Sequence, residues 1–509
     1  MTETLAPSTT PAEPGPSLSR PPRGPWFGPL LRRLHFYAGL LVGPFILVAA
    51  TSGALYALAP SLEQVVYDHE LHAPVTDTRL TLAEQIEIAE EHTAGQGALT
   101  AVRPAPQPGD TTRVMFSQDG LGPSESRAIF VDPGTGEVRG DLTTYGGSGS
   151  LPLRTWISHL HRSLHLGDPG RLYSELAASW LWIVAAAGLV LWISRLRATR
   201  RRTASGRPRR KATGYRRLLS WHTTAGAVVV LGALFLSATG ITWSQYGGAS
   251  FSDLRAAVGW TTPAVDTSLA DEPAGAGGGH HHGSDAAEPT GPADPATFDG
   301  VLAAAQRVNV DVGEVEIVPP AEPGTAWVVS ENKDGFPTAA DSVAVDGTTM
   351  EVTDRTDFAD FPLVAKLSSW GISLHMGVLF GPANQVMLFL LALGIGAMVV
   401  LGYLMWWKRR PTRAPRGLAG PAPDRGALRG APWWGLLLVA ACAVAVGLFL
   451  PLVGYTLLGF VVLDTVLGLR AADASGDDAS PAAPPGEPAR GGAAGDSASG
   501  SGAVAPSEA

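Results

Sequence analysis

The chain has 509 residues, 45% of them apolar, a formal net charge of -9 and a single cysteine, Cys442. That length leaves room for several domains, and one cysteine excludes an intrachain disulfide or a thiolate cluster. No nucleic-acid partner is expected. The apolar residues are clumped into runs at about 36–59, 176–194, 223–243, 384–407, 433–450 and 452–469, each near the ~20 residues that cross a bilayer as a helix. The expected fold class is an α-helical integral membrane protein in a lipid bilayer.

Residues 1–26 are rich in Pro, Ser and Thr and are expected to be a disordered cytoplasmic tail. The first span covers 27–60. The triplet Ala57-Leu58-Ala59 resembles a signal-peptide cleavage site, but the long leading tail, the long apolar run and Pro60 argue for retention. Residues 61–150 read as a small extracytoplasmic α+β domain. Its helix is predicted over Leu80–Glu91, its strands over Thr111–Phe116 and Ala128–Val131, and its hairpin turn at Asp132-Pro-Gly-Thr-Gly136 before Glu137-Val138.

A histidine-bearing segment and a second span fill 151–195, a basic cytoplasmic loop 196–217, and a third span 218–244. Residues 245–360 hold a Gly/Pro/Ala/Asp linker with His280-His281-His282 and then a second α+β domain. Its helix is predicted over Thr297–Val308 and its strands over Val315–Val318 and Ala326–Ser330. A second histidine segment and fourth span occupy 361–408, a cytoplasmic loop 409–432, a hairpin of two spans turning at Pro451 433–469, and a disordered tail 470–509. The arginines of 195–217, the basic residues of 408–416 and Arg32-Arg33 mark three flanks as cytoplasmic. The N-terminus is therefore expected inside, in the cytoplasmic (inner) membrane, with both α+β domains outside.

The two halves repeat. His35-x2-Ala38-Gly39-x12-Ser52-Gly53 recurs as His222-x2-Ala225-Gly226-x12-Thr239-Gly240. His161-x5-Gly167-x20-Gly188-x3-Trp192-x2-Arg195 recurs as His375-x5-Gly381-x20-Gly402-x3-Trp406-x2-Arg409, and Val131-Asp132-x4-Glu137-Val138 as Val345-Asp346-x4-Glu351-Val352. Each copy has two spans, so this is a tandem duplication of the parallel kind. Eighteen residues of helix are five turns, about 27 Å, which places His35 and Gly53 on one face of a continuous first helix.

Equivalent positions in such a repeat face each other across an axis along the membrane normal. His35 and His222 then form an inner pair and His161 and His375 an outer pair. With no repeating Cys or carboxylate beside them, two imidazoles suit haem iron better than zinc. Gly53 and Gly240 fall at the outer level and Gly188 and Gly402 at the inner level, where they would seat the macrocycles. Gly39 and Gly226 would let the inner one lie close to the backbone. Helix packing is the plainer explanation of such glycines, but their coupling to recurring histidines favours a cofactor. His159 and His165 lack partners in the second half, and His165 stays open as a substitute for His161. Trp192 and Trp406 read as interfacial anchors, and some of Arg32, Arg33, Arg216 and Arg217 would neutralise propionates.

At Leu34-His35 to Gly53, Leu160-His161-Arg162-Ser163-Leu164 with Gly167-Asp168-Pro169-Gly170-Arg171, Trp221-His222, and Leu374-His375-Met376-Gly377, the sequence resembles the PepSY-associated transmembrane family over about residues 27–410. The hairpins at Asp132–Val138 and Asp346–Val352 are similar to those of PepSY domains. That family includes iron-regulated membrane proteins and ferric-siderophore reductases carrying two b-type haems. The resemblance implies a dihaem electron-transfer protein with His35, His222, His161 and His375 as ligands. It would take electrons from a cytoplasmic or membrane donor and reduce a ferric chelate or other metal species outside. The alternative is a membrane-anchored PepSY binding or regulatory protein without redox activity. A transporter would call for ionisable residues near the middle of the core spans, which show none.

Overall fold

A computed structural model describes residues 26–204, 214–269, 293–409, 423 and 427–476. The triplet His280–His282, residues 205–213 of the basic loop, and residues 1–25 and 477–509 of the two tails lie outside these residues. The first span is two helices, α1 (Phe27–Leu41) and α2 (Gly43–Val66), which meet at Val42. Pro44 has no N–H, so the Leu40 carbonyl loses its helical donor. The Tyr403 hydroxyl replaces it, donating to Leu40 O at 2.6 Å. A Cβ on Gly43 would stand 3.2 Å from the Tyr403 ring. The expected continuous helix from His35 to Gly53 is therefore interrupted at Val42, whose backbone stays helical and whose amide still donates to Ala38 O at 2.8 Å.

A short helix α3 (Asp68–Leu71) leads to α4 (Leu82–His92), which starts on a capping box between Thr81 and Glu84. Four strands follow: β1 (Leu99–Arg103), β2 (Thr112–Phe116), β3 (Glu125–Val131) and β4 (Val138–Tyr145). Then come α5 (Pro152–Ser163), α6 (Gly167–Ala204), α7 (Tyr215–Thr242) and α8 (Tyr246–Ala257). The second run comprises α9 (Pro295–Arg307), β5 (Val315–Val318), β6 (Trp327–Glu331), β7 (Ser342–Val345) and β8 (Val352–Thr356). It ends in α10 (Leu363–Met376) and α11 (Gly381–Lys408).

Among the described residues four helices, α2, α6, α7 and α11, are long and apolar enough to cross a membrane. The chain is thus a helical membrane protein that also carries an antiparallel sheet. Helix α2 packs along α11 and α6 along α7. Of the six apolar runs, the last two give shorter apolar helices, α12 (Trp433–Phe449) and the Pro451–Leu467 part of α13 (Pro451–Gly476). The chain turns at Leu450-Pro451, where a Cβ on Gly447 would be 3.1 Å from Gly454 Cα.

The eight strands form one antiparallel sheet in the order β4-β3-β2-β1-β5-β6-β7-β8. The two expected α+β modules therefore share a single sheet, joined through Val102 of β1 opposite Ile317 of β5. Both anticipated hairpins form alike. The Asp132 amide donates to Glu137 O at 2.9 Å and the Asp346 amide to Glu351 O at 2.9 Å, each beside a register shift.

At the seam, Arg103 is 2% exposed and pairs with Glu316 at 2.6 Å and Glu314 at 3.2 Å. Helices α4 and α9 cover one face, burying Ile86, Val102, Ile129, Phe298, Ile317 and Val343. Each large apolar side chain so buried contributes about 1.5–3 kcal/mol. Asp299 of α9 accepts from the Leu82 and Ala83 amides at 2.9 and 3.0 Å, capping α4. The opposite face, with Ala101, Met115 and Phe130, packs on Leu71 and Leu151, where the chain leaves α2 and enters α5.

Candidate functional site

The four repeating histidines sit at the two ends of the helix bundle. At the end away from the sheet, His35 of α1 reaches across to α6, its Nδ1 2.9 Å from Val184 O. A carbonyl only accepts, so Nδ1 carries the proton and Nε2 keeps its lone pair. One turn on, a Cβ at Gly188 would be 3.0 Å from His35 Cε1. Glycine is what lets the imidazole lie against the helix.

His222 of α7 makes the corresponding approach to α11, toward the Met398 carbonyl, and a Cβ at Gly402 would stand 4.0 Å from its Cε1. Its Nδ1 falls short of ordinary hydrogen-bond geometry with any group. The His35 and His222 rings face each other with centroids 6.2 Å apart at 75°.

At the sheet end, α5 is fixed by its neighbours. Glu63 of α2 accepts from the Leu151 amide at 2.7 Å, the Leu153 amide donates to the Tyr67 hydroxyl at 3.0 Å, and the Tyr173 hydroxyl donates to the His161 carbonyl. So held, His161 points into α2, where its Nδ1 is 3.0 Å from Ser52 Oγ and a Cβ at Gly53 would be 3.0 Å from its Cε1. Ser52 Oγ also lies 2.8 Å from Val48 O. Its one proton goes to that carbonyl, so we assign the serine oxygen as acceptor of His161 Nδ1–H.

His375 of α10 does the same with Thr239 of α7. Its Nδ1 is 2.5 Å from Thr239 Oγ1, and that hydroxyl is 2.9 Å from Phe235 O. An aromatic ring flanks each imidazole: Tyr56 stacks on His161 with centroids 6.2 Å apart at 15°, and Trp243 lies 5.6 Å from His375 at 60°. His161 and His375 lie within electrostatic reach of each other. Three of the four histidines thus have Nδ1 engaged, which leaves Nε2 as the available donor.

The model of one family, the PepSY-associated TM region, matches residues 32–409, a stretch that holds all four histidines. The chain belongs to that family. No curated protein matches it.

The other predicted positions of this PepSY-associated protein fall differently. Gly240 adjoins Thr239, yet an added Cβ there would meet Ala178 at 3.2 Å rather than an imidazole. Gly39 has nothing within 4 Å, whereas a Cβ on Gly226 would meet Met398 Cε at 2.8 Å. His165 lies past the end of α5 against Trp156 and His159, so it takes no part in the His161 contacts. At the far end the Arg409 guanidinium lies over Phe36 and Tyr215, and Arg217 over Trp221. Among the described residues no group of three or more His, Cys, Asp or Glu is placed to hold a metal ion.

Sequence reasoning gave no role to the hydroxyls of Ser52 and Thr239 or the rings of Tyr56 and Trp243. Their signal was available. Each hydroxyl precedes the repeating glycine and each ring follows it by three residues, one helical turn away on the same face. The Val184 and Met398 carbonyls likewise stand four residues before the repeating Gly188 and Gly402, although a backbone carbonyl has no residue type to mark it.

Proposed function

We propose that this protein is a tandemly duplicated transmembrane dihaem electron carrier, with His35 and His222 holding one haem b and His161 and His375 the other. The observation that carries this reading is the state of three of the four imidazoles: in His35, His161 and His375 Nδ1 is anchored on a carbonyl or hydroxyl, which leaves Nε2 to bind metal. Metal–imidazole bonds of about 2 Å, with about 1.1 Å from nitrogen to ring centre, put two axial rings about 6 Å apart. The His35–His222 separation of 6.2 Å fits that arrangement. A donor set of two imidazoles without carboxylate or thiolate suits haem iron, which takes its other ligands from the porphyrin.

Bound haem supplies reversible one-electron exchange at iron. The chain's own residues do the rest. Val184, Ser52 and Thr239 fix the tautomer and orientation of their histidines, and Gly188 and Gly53 make room for the rings. With a histidine from each half of the chain as ligand, a bound haem would be suited to electron transfer rather than oxygen chemistry. Along α7, His222 and Thr239, the partner of His375, are seventeen residues apart, so the two levels are separated by about 25 Å at most.

By the positive-inside rule the basic flanks support an orientation with the His35 and His222 end in the cytoplasm and the joined PepSY-like sheet outside the cytoplasmic membrane. A cytoplasmic or membrane donor would supply the inner level, and a ferric chelate or other metal species would be reduced at the outer level. A purely anchoring role for the helices would leave these histidine contacts without purpose. Protein purified from haem-replete cells should contain two haems per chain by the pyridine haemochrome assay. A folded, colourless preparation would overturn the reading.

A further inference from the structure

A second histidine cluster lies outside the four-histidine core. His159 and His165 have ring centroids 6.0 Å apart at 38°, and Trp156 backs His165 at 4.9 Å. His165 reaches this position by an unusual backbone path. Leu164 and His165 both have positive φ, 52° and 57°, a conformation that non-glycine residues rarely adopt and that tends to mark functional sites. In the second half glycine does this work: Gly377, with φ 81°, ends α10. The two left-handed residues fold His165 back over the end of α5 onto His159.

His159 Nε2 is buried and has no hydrogen-bond partner, whereas His165 is exposed. One nitrogen therefore waits inside and one imidazole faces solvent. Arg162 donates to the Tyr145 hydroxyl at 2.7 Å, the Tyr145 ring packs edge-on against His159 with centroids 5.3 Å apart, and both Arg162 and the oppositely charged Glu125 lie within electrostatic reach of His159. The position is also the C-terminal end of α5, where the helix dipole favours a cation.

We propose that His159 and His165 bind a divalent transition-metal ion of the imidazole-seeking class, copper(II) foremost, with water completing its coordination. Two imidazoles on one metal at about 2 Å per bond stand with centres about 5 to 6 Å apart, so small side-chain rotations suffice. Copper(II) heads the affinity order for such nitrogen sites. His159 and His161 are two residues apart on α5 and point to different sides, so the ion would sit about one helix width, roughly 10 Å, from the sheet-end histidine pair. Binding does not depend on the haem reading; service as an electron acceptor or relay rests on it.

The test is a copper(II) titration of the full-length protein, followed by electron paramagnetic resonance. The parent carries His280→Ser, His281→Ser and His282→Ser, which removes the other obvious histidine ligands. One equivalent should bind with nitrogen hyperfine structure. His165→Leu, at an exposed position, should lose that signal at least tenfold in affinity, as should His159→Ala, while His69→Ala keeps it. Haem content, measured on the same samples, should be unchanged in all three, which separates failure here from failure of the dihaem reading. Copper binding equal in His165→Leu and its parent, or no stoichiometric binding by the parent, would overturn the proposal; His165→Leu alone decides should His159→Ala not fold.

Discussion

Gly188→Ala tests the distal histidine contact most sharply. The new Cβ would stand 3.0 Å from His35 Cε1, while carbon atoms pack best at about 3.5–4.0 Å. The ring must retreat by about half an ångström. Its Nδ1 is held to Val184 O at 2.9 Å, and such a bond stretches only to about 3.2 Å before weakening. The retreat therefore breaks it, at about 0.5–1.5 kcal/mol, and alanine's helix preference offsets this by about 0.5–1 kcal/mol. Global stability should barely move while the imidazole is displaced. At Gly402 the same substitution brings Cβ to 4.0 Å from His222 Cε1, an ordinary contact, and His222 has no Nδ1 hydrogen bond to lose. Gly402→Ala should therefore raise the melting temperature and keep full haem content, whereas Gly188→Ala should lose about half the haem absorbance at an unchanged melting temperature. Identical behaviour of the two variants in both assays would refute the reasoning.

Tyr403→Phe should lower stability by about 1–3 kcal/mol in thermal or denaturant melts, because Pro44 leaves the Leu40 carbonyl with no other helical donor. Ser52→Ala removes the acceptor of His161 Nδ1–H. It should shift the midpoint potential of one haem only, read by a redox titration, and Ser52→Thr should restore it. Arg103→Met strands Glu316 at the β1–β5 seam and leaves Glu314 with Arg113 alone, and should cost about 3 kcal/mol in the melting of the sheet. Burial pushes the Glu314 carboxyl up, but Arg103 and Arg113 together more than offset it and hold it below the usual carboxylate range. Its contribution is therefore complete above the unfolded pKa of about 4.3 and is lost as pH falls through the lower folded value. The native sheet should lose stability below about pH 4, and in Arg103→Met that acid-dependent loss should shrink.

What could be read from the chain was whatever repeats in one dimension. The histidines, the glycines one helix face away and the Asp-x4-Glu-Val hairpins keep their spacing in both halves, so their equivalence needed no coordinates. Strand β1 was missed because it lies in the middle of the joined sheet, with Leu99, Ala101, Val102 and Arg103 all buried, and so shows no alternation. The break at Val42 was missed because a proline near the middle of an apolar run does not by itself say whether another group will serve the freed carbonyl; Tyr403, 363 positions away, does so here. Long-range partners of that kind also decide which Nδ1 atoms are anchored.

The most direct test of the central claim is the dithionite-reduced minus oxidised spectrum of paired histidine variants. His35→Ala with His222→Ala should retain about half the α-band, as should His161→Ala with His375→Ala, because each double change removes one haem. His35→Ala with His161→Ala should abolish the band, because it breaks both sites. Full haem content in that last variant, or complete loss in either of the first two with the protein still folded, would contradict the pairing of these histidines across the two halves of the chain.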